Sequence, residues 1–142
     1  MKIAILGSGG REHAIAYAIS KSKKIEKIFC IPGNAGTHII AENIIIDINN
    51  FEQVYNFLQK EKINFVVVGP EQPLVNGIVD YLEKFNIKVF GPNKISSQLE
   101  GSKIFTKNLC KKYNIPTADF GTFENKEDTI KFLKKTNHPI VI

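Results

Sequence analysis

Three glycines in four positions, Gly7, Gly9 and Gly10, close the first apolar run of the chain, and Arg11, Glu12 and His13 stand where a helix begins. Strand, glycine turn and helix make a phosphate cradle: glycines let backbone N–H groups approach an anion, and the helix N-terminus carries about half a positive charge. The dinucleotide fingerprint Gly-x-Gly-x-x-Gly would need a third glycine at position 12, which holds Glu12. It also expects an acid at the end of the second strand, and that run ends Cys30-Ile31-Pro32. The turn therefore resembles a dinucleotide site and departs from it at two positions, and plain packing of helix on strand would use the same glycines. Arg11 opposes the helix dipole on a first turn. A bound phosphate would reverse that sign and accept a bidentate contact; the alternative is a pair with Glu12 or another carboxylate. His13 reads equally as a capping or core histidine and as a phosphate contact.

Two further loops follow apolar runs. Pro32-Gly33-Asn34-Ala35-Gly36-Thr37 comes after the second, and Gly69-Pro70-Glu71-Gln72-Pro73 after the fourth. Open parallel sheets bind ligands where the C-terminal strand ends meet, so all three loops are expected on one crevice. Glu71, on a loop stiffened by two prolines, could accept sugar hydroxyls or be a solvated loop acid.

The elements that must place these loops alternate. Strands are expected at 2–6, 27–31, 43–46, 64–68 and 88–90. Helices are expected at 11–20, with Ala14, Ile15, Ala18 and Ile19 on one face; at 51–61, with Phe51, Val54, Tyr55 and Leu58 aligned; and at 74–85, burying Leu74, Val75, Ile78, Val79 and Leu82. Strand–helix alternation with near-continuous apolar strands argues an α/β fold, a parallel sheet wrapped by helices. The pattern changes near Gly101. Ser102 can cap a helix to about Tyr113 with Phe105 and Leu109 inward. An extended stretch at 118–123 precedes a helix at 126–135 capped by Asn125, with Ile130 and Leu133 on its apolar side. A turn at 137–139 then leads to a strand at 140–142. Two domains are expected, 1–101 and 102–142, the second too short to bury a sizeable core alone. A strand that stops without a partner suggests a truncated chain.

The 142 residues are 43% apolar, with ten glycines and six prolines, a globular composition. Only four apolar residues separate Lys2 from Gly7, which fits a strand rather than a secretory leader. No run approaches the ~20 apolar residues of a membrane helix, so the expected compartment is the cytoplasm, with no membrane partner. The formal charge is +5. Lys21, Lys23, Lys24, Lys111, Lys112, Lys134 and Lys135 follow or end helical patterns, where cations complement the dipole. That placement accounts for most of the excess without a nucleic-acid partner. Cys30 and Cys110 form no CxxC pair and read as small buried hydrophobes rather than disulfide, metal or nucleophile.

Several strings occur in a fixed order: Gly7-Ser8-Gly9-Gly10-Arg11-Glu12-His13-Ala14, then Pro32-Gly33-Asn34-Ala35-Gly36-Thr37. Val68-Gly69-Pro70-Glu71-x-Pro73-Leu74-Val75-x-Gly77-Ile78-Val79-Asp80, Phe90-Gly91-Pro92 and Gln98-Leu99-Glu100-Gly101-Ser102-Lys103 complete the set. From Met1 to Ile142 this strongly resembles the N-terminal part of the phosphoribosylamine–glycine ligases, or glycinamide ribonucleotide synthetases. The resemblance implies a Rossmann-like (pre-ATP-grasp) substrate-binding domain followed by the incomplete start of an ATP-grasp domain. It implies an activity in purine biosynthesis that joins glycine to 5-phosphoribosylamine and converts ATP to ADP and phosphate through an acyl phosphate. The implied substrate-binding residues are Ser8, Gly9, Gly10, Arg11, Glu12, His13, Gly33, Asn34, Ala35, Gly36, Pro70 and Glu71, with Lys103 near the nucleotide phosphates unless it is an ordinary surface lysine. ATP and Mg2+ (or Mn2+) are the implied cofactors, with metal ligands, catalytic residues and the glycine-rich ATP loop expected downstream. A monomer is expected for the whole enzyme, and residues 1–142 alone are expected to be inactive. The competing readings are a nicotinamide-binding domain, another ATP-grasp relative of the biotin carboxylase or formate-dependent kind, and a basic nucleic-acid binder.

Overall fold

The structure, a computed structural model, describes residues 1–136 and 139–141. It divides into two compact units, Met1–Gly101 and Ser102–Ile142.

The first unit is a five-stranded, all-parallel sheet in the order β3-β2-β1-β4-β5. Its strands are β1 (Lys2–Gly7), β2 (Lys27–Pro32), β3 (Glu42–Asn43), β4 (Phe65–Val68) and β5 (Lys88–Phe90). Its helices are α1 (Gly10–Ser20), α2 (Phe51–Glu61), α3 (Glu71–Asn76), α4 (Ile78–Glu83) and α5 (Lys94–Gly101). The register pairs Lys2 with Lys27 and Ala4 with Val66. Side chains alternate between faces at a period of two. Ala4, Leu6, Phe29, Ile31, Val66 and Val68 pack under Val54 and Leu58 of α2 and Ile78, Val79 and Leu82 of α4. Ile3, Ile5, Ile28, Cys30 and Val67 meet Ala16, Ile15 and Ile19 of α1. The sheet is thus clad on both sides, which explains why its central strands are apolar throughout.

Several expectations are corrected. The buried stripe of α1 contains Glu12 and Ala16, with Ile15 and Ile19 half-buried, while Ala14 and Ala18 are exposed. Alanine is weakly hydrophobic and settles to either side, whereas the stripe is set by the position of Glu12 at its head. The helix expected at 74–85 is two helices. Gly77, at φ +98°, adopts a left-handed conformation that L side chains resist, and its N–H closes α3 on Pro73 and Leu74. Glu71 is consequently the first residue of α3 and not part of an open loop. β3 covers only Glu42–Asn43: the register would set Ile45, which is 86% exposed, opposite Pro32, which has no N–H to give the ladder. α5 was not apparent from the sequence. Its apolar pair Ile95 and Leu99 faces outward, while Ser97 is the buried residue and donates to the carbonyls of Asn93 (2.7 Å) or Pro92 (3.2 Å). The Ile31–Pro32 peptide is cis.

The second unit holds α6 (Lys103–Lys112) and α7 (Lys126–Lys135). Ser102 Oγ accepts from Phe105 N and Asn125 Oδ1 from Asp128 N, the two expected caps. Neither helix buries a residue, so the inward faces expected at Phe105 and Leu109, and at Ile130 and Leu133, are at most half-covered. Residues 118–123 carry no regular element, and neither do Ile140 and Val141 of the expected last strand. Asn137 and His138 of the expected turn, and Ile142, lie outside the described residues. Cys30 is buried, Cys110 half-buried, and both are free. Among the described residues no helix is long and apolar enough to cross a membrane.

Candidate functional site

The sheet order reverses between β1 and β4. The loops after β1, β2 and β4 meet at their carboxyl ends beside that reversal, the position where open parallel sheets bind ligands. Two backbone bonds extend the ladder past the strands: Gly33 N–H donates to Gly7 O (3.2 Å) and Gly69 N–H to Leu6 O (3.0 Å). All three loops are therefore anchored on the end of β1.

Glu12 lies at the centre of this junction. It is 4% exposed. Its Oε2 accepts the Gly9 N–H at 2.6 Å, the reach of a third-position helix acid back to the N-cap. A carboxylate on a first turn also agrees with the helix dipole. The surrounding residues must be small. A Cβ on Gly7 would come 2.6 Å from Glu12 Cγ, and one on Gly69 would overlap the carboxylate. The dinucleotide fingerprint puts the small residue on the helix; here the helix carries the large side chain and the strand ends carry glycines. That exchange is the physical reason for the departure at position 12.

Arg11, one position earlier, points out of the junction with its side chain 59% exposed. Its Nη2 donates to Glu71 Oε1 at 2.8 Å, and its Nε lies 3.8 Å from Glu12 Oε1. Of the alternatives for Arg11, the structure adopts the carboxylate pair. The hydrogen bond from Arg11, followed by the amide at the start of α3, holds the Glu71 carboxyl below the usual carboxylate range, and Glu100 adds to this. The same bond, accepted by Glu71, raises Arg11 above its ordinary value.

Asn34 ties the second loop to the first. Its Nδ2 donates to Ser8 O at 2.8 Å and Gly9 O at 3.2 Å, while its Oδ1 accepts from Thr37 N at 2.9 Å. Thr37 is fully buried and its hydroxyl accepts from Asn34 N at 2.7 Å. Asn43 braces the turn through Nδ2 to Asn34 O at 2.7 Å. Half-buried His13 packs beside Gly36, where a Cβ would come 3.1 Å from its ring.

Of the residues expected at the site, Ser8, Gly9, Gly10, Arg11, Glu12, His13, Gly33, Asn34, Gly36, Pro70 and Glu71 are on these three loops or the helix ends that continue them, with exposed Ala35 at the tip of the second. Lys103 is an exposed residue at the start of α6, in the other unit. Thr37, Asn43 and Glu100 were missed as site residues. An Asn and Thr three apart is a local turn signal that could have found Thr37. Asn43 comes from the next strand, and Glu100 from a helix whose apolar pair points outward, so neither had a local signal.

Residues 1–100 match the family described as phosphoribosylglycinamide synthetase, N domain, and residues 101–142 match its ATP-grasp (A) domain. Over 142 residues the chain is 46% identical to a phosphoribosylamine–glycine ligase of Clostridium acetobutylicum and 49% identical to one of Mesorhizobium japonicum. All of this chain is covered in both alignments, but only 34% and 33% of those proteins, so it spans about a third of their length. The crystal structure of a phosphoribosylamine–glycine ligase from Thermotoga maritima superimposes with TM-score 0.72 at 33% identity, over 96% of this chain and 31% of that one. A biotin carboxylase domain of a 2-oxoglutarate carboxylase, at 18% identity and TM-score 0.68 over 97% of this chain and 34% of that one, shares the fold alone. With the N-domain match running through the glycine turn, the Asn34 loop and Glu71, the chain belongs to the phosphoribosylglycinamide synthetase family.

Proposed function

We propose that this chain is the N-terminal part of an ATP-dependent ligase that joins glycine to 5-phosphoribosylamine, and that its first unit holds the phosphorylated pentose. The observation that carries the reading is the joining of three loops at one sheet edge, by Asn34 on Ser8 and Gly9 and by Arg11 on Glu71. A pentose 5-phosphate suits that layout. The first-turn amides of Gly10 and Arg11 have no acceptor within the helix, and the dipole there favours an anion. The Arg11 guanidinium can leave Glu71 and take phosphate bidentately, with Ser8 and Gly9 beside it. Glu71 is then free to accept sugar hydroxyls. Gly33, Asn34, Ala35, Gly36 and Pro70 line the remainder, with His13 behind Gly36.

The reaction we assign to the whole enzyme phosphorylates the glycine carboxylate with ATP, after which the sugar amine attacks the acyl phosphate and releases phosphate. Lys103, which opens the second unit, is assigned to the nucleotide phosphates. Mg2+ or Mn2+ would neutralise charge on the transferring phosphoryl group; among the described residues no three His, Cys, Asp or Glu side chains gather to hold it. The whole enzyme is assigned to the cytoplasm as a monomer, acting on small molecules.

Titrating the 142-residue chain with ribose 5-phosphate and with NAD, followed by amide NMR, tests the reading. Saturable shifts of the Gly10, Arg11 and residue 33–36 amides with ribose 5-phosphate are expected. Micromolar NAD binding at those amides would overturn it in favour of a redox-nucleotide domain.

A further inference from the structure

The buried carboxylate of Glu12 has a consequence for which phosphorylated ligands the crevice accepts. A phosphate cradle at a helix N-terminus normally uses the N-cap amide together with the first-turn amides. Here the N-cap amide, Gly9 N–H, is already bound to Glu12 Oε2 at 2.6 Å. The carboxylate also fills the space between the ends of β1 and β4, where Gly7, Gly9 and Gly69 leave room for nothing larger than hydrogen. A second phosphate approaching along the β1–β4 switch would have to displace a like charge from a poorly solvated position, where charge repulsion is weakly screened.

We propose that Glu12 is a specificity-determining positioning residue: it acts as an internal anion that occupies the inner half of the cradle, leaving an outer half with capacity for a single phosphate. The crevice therefore selects monophosphorylated sugars and rejects pyrophosphate-bearing ones. This rests on the pentose-phosphate reading, and the experiment separates the two.

The probes are ribose 5-phosphate, inorganic pyrophosphate and ADP-ribose, titrated into the 142-residue chain and its Glu12→Gln and Glu12→Asp variants by calorimetry and amide NMR. Gln is isosteric and keeps an acceptor for Gly9 but loses the charge; Asp keeps the charge but retracts it. In the unsubstituted chain, ribose 5-phosphate is expected to move the Gly10 and Arg11 amides while Gly9, held downfield by its short bond, stays in place. Glu12→Gln is expected to strengthen pyrophosphate and ADP-ribose binding at least tenfold relative to ribose 5-phosphate; Glu12→Asp is expected to keep the discrimination. If Glu12 only fills space, Gln retains the discrimination and Asp loses it, and the proposal is overturned. It is equally overturned if Gly9 shifts with the ligand as far as Gly10 does. Should the unsubstituted chain bind no ribose 5-phosphate while Glu12→Gln still gains pyrophosphate, the pentose reading fails and the role of Glu12 stands. Circular dichroism and a melting curve identify any variant that is not folded; if Gln is lost in this way, the Asp variant and the Gly9 shift still decide.

Discussion

Arg11 and Glu12 are neighbours in sequence with opposite environments, one solvated and one at 4% exposure. The first can exchange partners; the second cannot without opening the junction. The Arg11–Glu71 pair gives a pH signature. Because the folded-state pKa of Glu71 is lowered, by Arg11 first of all, the stability it contributes is present above the ordinary carboxylate range and is lost as pH falls through the depressed folded value. Both groups are solvent-exposed, so the effect on global stability is small. The measurable quantity is the Glu71 carboxyl 13C titration: its midpoint is expected below the ordinary range in the native chain and back within it in Arg11→Ala. The same variant is expected to lose roughly tenfold in ribose 5-phosphate affinity, the order of one charge-assisted hydrogen bond. Gly69→Ala drives a methyl into the Glu12 carboxylate, and overpacking of this kind costs about 1–3 kcal/mol. If that contact is the cause, urea denaturation of Gly69→Ala in a Glu12→Ala background will give a clearly smaller increment than in the native chain, and equal increments would refute it.

At the scale of elements, caps and one left-handed glycine decide where helices begin and end. Asn50 Oδ1 accepts from Gln53 N at 3.1 Å at the head of α2, so Asn50→Ala is expected to lower the stability of the first unit by ~0.5–2 kcal/mol in urea titration. The caps at Ser102 and Asn125 were readable because each bonds within three residues of itself; the cap at Asn50, equally local, was not read. The α3–α4 break was not read. The apolar periodicity runs on through Gly77, and only the packing around that residue selects its φ of +98° over a helical value. α5 escaped for the opposite reason: a helix whose apolar residues face outward gives an amphipathic signal that says nothing of where it docks. It docks on α3 and α4, where Lys94 N–H donates to Asp80 Oδ2 at 2.7 Å and Gly101 abuts Val75.

Across the whole molecule, burial is concentrated in the first unit. Its fully buried large side chains, Phe29, Ile5, Leu6, Ile31, Leu58 and Ile63 among them, lie between the sheet and its helices, whereas α6 and α7 bury nothing among the described residues. Opening free energies follow buried apolar contact, so hydrogen exchange is expected to be slowest in β1 and β4 and orders of magnitude faster in α6 and α7. Similar protection in both units would contradict that distribution. Leu58→Ala, at a site with no exposure, should cost about 2–5 kcal/mol and accelerate exchange in β1 and β4.

The sequence by itself determined the alternation of strands and helices, the parallel sheet, the three glycine- and proline-bearing loops and the family they signal. These follow from short-range rules: period-two and period-3.6 apolar spacing, and turn residues with restricted or permissive backbones. Tertiary structure alone decided the use to which the loops are put. Nothing local says that Glu12 turns inward while Arg11 turns out, since both are charged residues on one helical turn. That division exists because β4 inserts beside β1, bringing Gly69 against Glu12 and Glu71 within reach of Arg11 across sixty positions of chain. Contacts of that separation are fixed by sheet order and register, and neither is written in the spacing of neighbouring residues.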